Sequence, residues 1–224
     1  TQLPVYDGAP YVTINDNQPE FLEKDYTTES FEYYGALDYL GRCTACFACI
    51  GTDLMPTEKR GNISSVKPTG WHTVSYGIVD GGSLYNRSHL IAYQLTGENA
   101  NERNLITGTR YMNKQGMLPL ENEVARYIRR TGNHVLYRAT PVFVGDDLVA
   151  HAVALDRDVA VRCVLAPFLA ILPEIVFELR VAAAEKGTHE TYRSHLARVA
   201  HARKRRTAEL HEERLRDVVH VVTC

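Results

Sequence analysis

Tyr85-Asn86-Arg87-Ser88-His89 opens the deciding stretch of this chain, which then runs through Asn99-Ala100-Asn101 to Asn104-Leu105-Ile106-Thr107 and closes with Tyr111-Met112-Asn113-Lys114-Gln115 and Glu121. Asn113 follows His89 by 24 residues, and Glu121 follows Asn113 by eight. A one-metal phosphodiester hydrolase needs these three residue types. A neutral imidazole takes a proton from water, a hard oxygen holds a divalent metal, and an acidic group orders the metal's water shell. The flanks supply a frame. Residues 71–79 alternate loosely with β-branched and aromatic side chains, which predicts a strand. Asp80-Gly81-Gly82 predicts a turn, so that residues 71–86 form a hairpin-like unit delivering His89 at its end. From residue 118, Leu118, Val124, Tyr127 and Ile128 predict an amphipathic helix that ends near Thr131-Gly132-Asn133.

These residues resemble the DNA/RNA non-specific endonucleases of the ββα-metal, or His-Me finger, superfamily, in particular bacterial secreted DNA-entry nucleases and streptodornases. The family signature is Asp-Arg-Gly-His, an Asn-rich stretch, and a helix bearing the metal-binding asparagine. Lys67-Pro68-Thr69-Gly70-Trp71-His72, Gly108-Thr109-Arg110-Tyr111-Met112-Asn113, Gly132-Asn133-His134-Val135-Leu136-Tyr137-Arg138 and Thr140-Pro141-Val142-Phe143 are similar to it as well. The likeness extends from about residue 3 to about residue 154. It implies an α+β fold, a ββα-metal core on a central antiparallel sheet. It implies His89 as general base and Asn113 as the ligand of one Mg²⁺ (or Mn²⁺) through its amide oxygen. By the same resemblance Glu121 and Asn86 support the metal's water shell, and Arg87 and Arg110 contact substrate phosphate, for which a guanidinium fork is suited. The implied activity is sugar-non-specific cleavage of DNA and RNA to 5′-phosphate ends. The implied setting is secreted or cell-surface, and bacterial, with an inhibitor protein as an expected partner.

Two positions depart from the signature. Asn86 stands where Asp is usual, which orients water through its carbonyl oxygen but brings no negative charge. Ser88 stands where Gly is usual, harmless unless the backbone there needs a positive φ. Ala125 occupies the position one turn after the glutamate where some relatives have arginine, and no role is carried over to its neighbour Arg126.

Composition bounds the rest. At 224 residues the chain is long enough for one domain, or one domain with an appendage. No apolar run reaches the length of about 18 residues that a membrane-spanning helix needs. The chain begins at Thr1, without Met or a signal peptide, which reads as a mature or trimmed form. A net charge of −2 excludes a generally basic nucleic-acid coat. Residues 1–60 hold four Lys/Arg against ten Asp/Glu, whereas 61–157 hold ten against eight, so the motif region is only mildly basic. Cys43, Cys46 and Cys49 are spaced by three without a fourth ligand at finger spacing, and read as buried thiols or a single disulfide sooner than as a zinc site.

Elsewhere, residues 1–30 read as extended chain and turns, and 32–40 as a short helix. Two strands are expected at 134–143 and 148–154 across Gly145-Asp146-Asp147. The nuclease-like domain is therefore placed at 1–157. Residues 158–224 hold one glycine of fifteen and one tyrosine of thirteen, and are enriched in Arg, Ala and His. They read as a divergent segment, helical over 191–219, from a recombined module or a frame-shifted gene. Lys204-Arg205-Arg206 there reads as a solvated helical face before a nucleic-acid contact. Asn62-Ile63-Ser64 fits a glycosylation sequon that has no meaning in a bacterium. His72, His134 and Trp71 read as packing or cleft residues. Two rival classes stand beside the enzyme. One is an impaired, nuclease-like protein that holds nucleic acid without cutting it, which Asn86 and the divergent C-terminal segment motivate. The other is an interaction protein that dimerises through the helix at 191–219.

Overall fold

The computed structural model describes residues 8–160 and the strand His220–Thr223. Its strands are β1 (Tyr11–Thr13), β2 (Phe31–Tyr34), β3 (Cys46–Ile50), β4 (Tyr85–His89), β5 (Leu105–Thr109), β6 (Val135–Val142), β7 (Ala152–Val159) and β8 (His220–Thr223). Its α-helices are α1 (Tyr93–Thr96) and α2 (Leu118–Thr131). A six-stranded sheet has the order β1-β8-β7-β6-β3-β2, with every pairing antiparallel. A separate ribbon pairs β4 with β5. The α+β class and the central antiparallel sheet expected from the sequence are what is found.

The sheet is buried on both faces because its middle strands carry apolar side chains at both parities. In β6, Val135, Tyr137 and Ala139 face the larger core with Ile50, Val153 and Leu155. Leu136 faces the other way, towards Cys49, Phe21, Phe31 and Phe47. Pro141 is tolerated inside β6 because β3 pairs only as far as Ala139, leaving that edge without a ladder bond to lose. Helix α2 covers the larger core with Leu120, Val124 and Ile128, three residues four apart on one face. Burying each contributes about 1.5–3 kcal/mol. Pro119 opens the helix, and Gly132, at φ +71°, closes it by donating its N–H to the Ile128 carbonyl. Arg157 on β7 reaches the helix, with Nη1 on the Leu120 carbonyl at 3.0 Å and Nη2 on Glu123 at 2.7 Å.

Several local expectations are corrected. Residues 31–34 are strand β2 and not the start of a helix at 32–40, because Tyr33 and Tyr34 pair across to Phe47 and Cys46, a non-local contact that outweighs local propensity. Residues 71–79 form an irregular loop, not a strand, whose ladder is the single bridge Ser75–Ser83. The turn at Asp80-Gly81-Gly82 is present, with both glycines at positive φ. The last strand of the pair begins at Ala152 and not at 148, since Arg42 Nη1 holds the carbonyls of Gly145 and Asp147 in an extended turn. Cys43, Cys46 and Cys49 are free, buried thiols. Burial pushes Cys46 up to about 12 and Cys43 to about 11. Both are donors to backbone carbonyls, Cys43 to Glu102 and to Leu105 at the start of β5, Cys46 to Arg103. The helix expected at 191–219 lies outside the described residues, as does Lys204-Arg205-Arg206; within 158–224 the described part is the end of β7, Ala160 and β8.

Candidate active site

The ribbon and the helix after it form a strand–strand–helix unit. Arg87 of β4 pairs with Thr107 of β5, Ser88 with Ile106, and His89 with Leu105. Ser88 has an ordinary backbone, since positive φ at non-glycine residues is confined to Asn15, Asp16 and Asn17 among the described residues. Gly108 makes room for it: a Cβ there would lie 2.8 Å from Ser88 Oγ and 2.3 Å from Met112 Cε. Beyond β5 the chain turns helical, and Met112–Met117 forms a π turn in which the Leu118 N–H reaches the Asn113 carbonyl. This turn has a geometric consequence. Eight α-helical residues would leave Asn113 and Glu121 roughly 80° apart around the axis. With one residue absorbed by the π turn they stand as a pair seven apart, within about 20° of one face.

His89 ends β4 and is 6% exposed. Its Nε2 lies 2.7 Å from the Asn99 carbonyl. A carbonyl only accepts, so Nε2 carries the proton and Nδ1 presents a lone pair. Arg60 Nη2 stands 3.5 Å from Nδ1. Burial, reinforced by the Arg60 charge and opposed by the Asn99 hydrogen bond, depresses the imidazole to about 4. The base is thus neutral and tautomerically fixed. The loop that carries Asn99 is pinned by Asn104, fully buried, whose amide accepts from Ile91 N–H at 2.8 Å and donates to the Ile91 carbonyl at 3.0 Å.

Glu121 is 7% exposed, and among the described residues its carboxylate has no hydrogen-bond partner. Burial raises it to about 8, against the pull of Arg60. Glu123, two residues on, is already paired with Arg157, which separates the roles of the two glutamates. Arg60 therefore neighbours both His89 and Glu121. Sequence reading passed over it. The available signal was Lys59-Arg60-Gly61, a basic pair beside a glycine in an acidic third of the chain. Gly61 has a reason as well, because a Cβ there would lie 2.8 Å from Asn99 Nδ2.

Asn113 is half-buried on the π turn, and its amide makes no hydrogen bond among the described residues. A free amide oxygen and a buried, unpartnered carboxylate on one helical face suit a hydrated divalent cation. Asn86 sits opposite Gly108 and is likewise without a side-chain hydrogen bond among the described residues. Arg87 points elsewhere than the others. Its Nε donates to the Val66 carbonyl at 2.5 Å and Nη2 to that of Ser64 at 3.1 Å, and its guanidinium lies 3.8 Å from the Trp71 ring centre. Arg110 binds Asp80 at the far end of β4. His72 packs on Tyr85, and His134 contacts Ser30, both away from His89.

The chain matches the family model for DNA/RNA non-specific endonucleases over residues 23–160. No curated protein matches it. Among solved structures it is similar to NucA from Streptococcus agalactiae without metal, at 26% identity over 66% of this chain and 72% of that one, with a TM-score of 0.58. A magnesium-bound form of NucA aligns at 24% identity over 69% and 78%, with a TM-score of 0.60. The zinc-bound Sda1 nuclease aligns at 24% identity over 67% and 84%, with a TM-score of 0.53. With more than half of its length inside that family model, the chain belongs to the DNA/RNA non-specific endonuclease family.

Proposed function

We propose that this nuclease hydrolyses phosphodiester bonds in DNA and RNA with His89 as the general base and one divalent cation, Mg²⁺ or Mn²⁺, held at Asn113. The observation that carries the reading is the geometry at His89: Nε2 lies on the Asn99 carbonyl, which fixes the proton there, and Nδ1 is left as a neutral acceptor held only by the long 3.5 Å contact from Arg60 Nη2. Nδ1 takes a proton from water as its oxygen attacks phosphorus. The P–O3′ bond breaks, the departing O3′ takes a proton from solvent to become a 3′-hydroxyl, a 5′-phosphate is left, and the imidazolium returns its own proton to solvent. Its charge while protonated is offset by the Asn99 carbonyl. The cation, when bound, neutralises charge on the phosphate and on the departing oxygen. Asn113 offers it an amide oxygen; Glu121 and Asn86 order its water shell. A divalent ion is also what the two metal-bound relatives hold.

Arg60, beside both His89 and Glu121, is the guanidinium nearest the base and would bind the reacting phosphate. Arg87, with two donors inside the protein, positions the 64–71 loop and has Nη1 left for phosphate. Secretion belongs to the same reading; among the described residues no helix is long and apolar enough to cross a membrane. The test is nicking of supercoiled plasmid by wild type in Mg²⁺, in EDTA, and by Asn113→Ala in millimolar Mg²⁺. Cutting by wild type with metal alone supports the proposal. Full activity of Asn113→Ala contradicts the metal assignment. Failure of a folded wild type to cut in any divalent ion favours the holding role that the neutral Asn86 motivates.

A further inference from the structure

A second group of charged and apolar side chains stands at the opposite end of β4 from His89. A half-open cavity of about 400 Å³ is lined there by Ile78, Leu84 and Tyr111, and by the charged Asp80, Arg110 and Lys114. Lys114 Nζ lies 2.5 Å from Asp80 Oδ2, and Arg110 Nη2 lies 3.4 Å from the same oxygen. Two cations thus converge on one carboxylate oxygen, as they would on a phosphate oxygen. Arg110 Nε is buried and has no acceptor among the described residues, so the anion now present leaves that guanidinium incompletely bonded. Asp80 itself is exposed, and sits beside Gly81 and Gly82, both at positive φ. Its loop also raises Ile78 into solvent, 97% exposed, at the edge of the cavity it lines.

The cavity lies along the track of the candidate active site. Arg110 and Lys114 flank Asn113 in sequence, and four residue steps of β4, at about 3.3 Å each, put Tyr85 about 13 Å from His89. We propose that this cavity is a nucleotide subsite. Arg110 and Lys114 grip a phosphodiester of the substrate strand away from the bond being cut, and Ile78, Leu84 and Tyr111 receive the adjoining nucleoside. Asp80 occupies the phosphate position in the free protein and yields it on binding. The subsite rests on the nuclease reading and deepens it, adding a strand-gripping site with a built-in competitor. The exchange is of one monoanion for another, so the cation pair is never left bare.

The sign of one substitution separates this from a plain surface ion pair. If Asp80 only pins its loop, Asp80→Asn loosens the cavity and weakens binding. If Asp80 competes with phosphate, Asp80→Asn tightens it. The measurement is fluorescence anisotropy of a labelled single-stranded DNA decamer with the full-length protein in EDTA, at fixed ionic strength. Asp80→Asn is expected to lower Kd roughly threefold, and to lose that effect in a Lys114→Gln background. Lys114→Gln alone is expected to raise Kd roughly tenfold, and to reduce the slope of log K against log salt by about 0.7. Ile78→Ala should weaken the ordinary decamer more than an abasic decamer of equal length. Weaker binding by Asp80→Asn, or wild-type binding by Lys114→Gln, overturns the subsite. Binding without metal is read independently of cutting, so a wild type that binds in this pattern but never cuts would sink the catalytic reading and leave the subsite standing.

Discussion

In the six-stranded sheet, charged side chains have partners: Arg138 is fixed on Asp156, Tyr26 on Asp158, and Arg157 on Glu123 and the Leu120 carbonyl. The β4–β5 ribbon and its flanking loops are different. Ser88 Oγ, Asn99 Oδ1, Thr107 Oγ1 and Arg110 Nε are all buried there without a partner among the described residues. The sheet contributes two such atoms, Tyr137 OH and Arg157 Nε. Each unpaired buried group costs about 1–3 kcal/mol. The sheet thus holds the fold, while the ribbon and its loops tolerate more buried polar atoms without partners among the described residues. That contrast is what a rigid scaffold bearing a binding site should show.

The comparison breaks first at His89. His89→Ala should lower metal-dependent cleavage by roughly a thousandfold, with an unchanged unfolding midpoint and recovery in added imidazole. A drop in the midpoint large enough to explain the loss would move His89 from the site to the scaffold. Next comes the π turn. Inserting one alanine after the exposed Gln115 should set Asn113 and Glu121 eight α-helical positions apart, about 80° around the axis, reducing cleavage about a hundredfold while circular dichroism stays native. Near-normal turnover by that insertion would show that Asn113 and Glu121 need not share a face.

Smaller effects sharpen the same contrast. Asn104→Ala leaves the buried Ile91 N–H and C=O unpaired and should cost about 2–4 kcal/mol in urea unfolding, marking the one point where the ribbon's polar network holds the fold. Ser88→Ala removes a buried hydroxyl that has no partner and should be neutral or stabilising by about 1 kcal/mol. A loss of stability there would mean that the hydroxyl is bonded after all.

Much of this was legible in the sequence because it is local. The spacing of Leu120, Val124 and Ile128 and the stop at Gly132 mark α2 without reference to the rest of the chain. The motif from Asn86 to Glu121 likewise carries its own spacing. What was hidden depends on distant contacts. Tyr33 and Tyr34 are strand because Phe47 and Cys46 lie opposite, and residues 71–79 are loop because no strand takes up their alternation. Arg60 gains meaning only when the fold brings it to His89, 29 positions on. The π turn was equally silent, since a one-residue change of register leaves no mark on composition.

The state of His89 is the most direct test, and NMR of ¹⁵N-histidine-labelled protein reads it at the two ring nitrogens. The titration should show Nε2 protonated and Nδ1 bare, with an inflection at about 4. Above that pH the base is neutral and active; below it protonation removes the acceptor, so His89 should limit cleavage only as pH falls towards 4. Arg60→Gln, by removing a neighbouring positive charge, should move the inflection upwards. An imidazole protonated at Nδ1, or one titrating at its ordinary value near 6.5, would contradict the claim that burial and the Asn99 carbonyl hold a ready base.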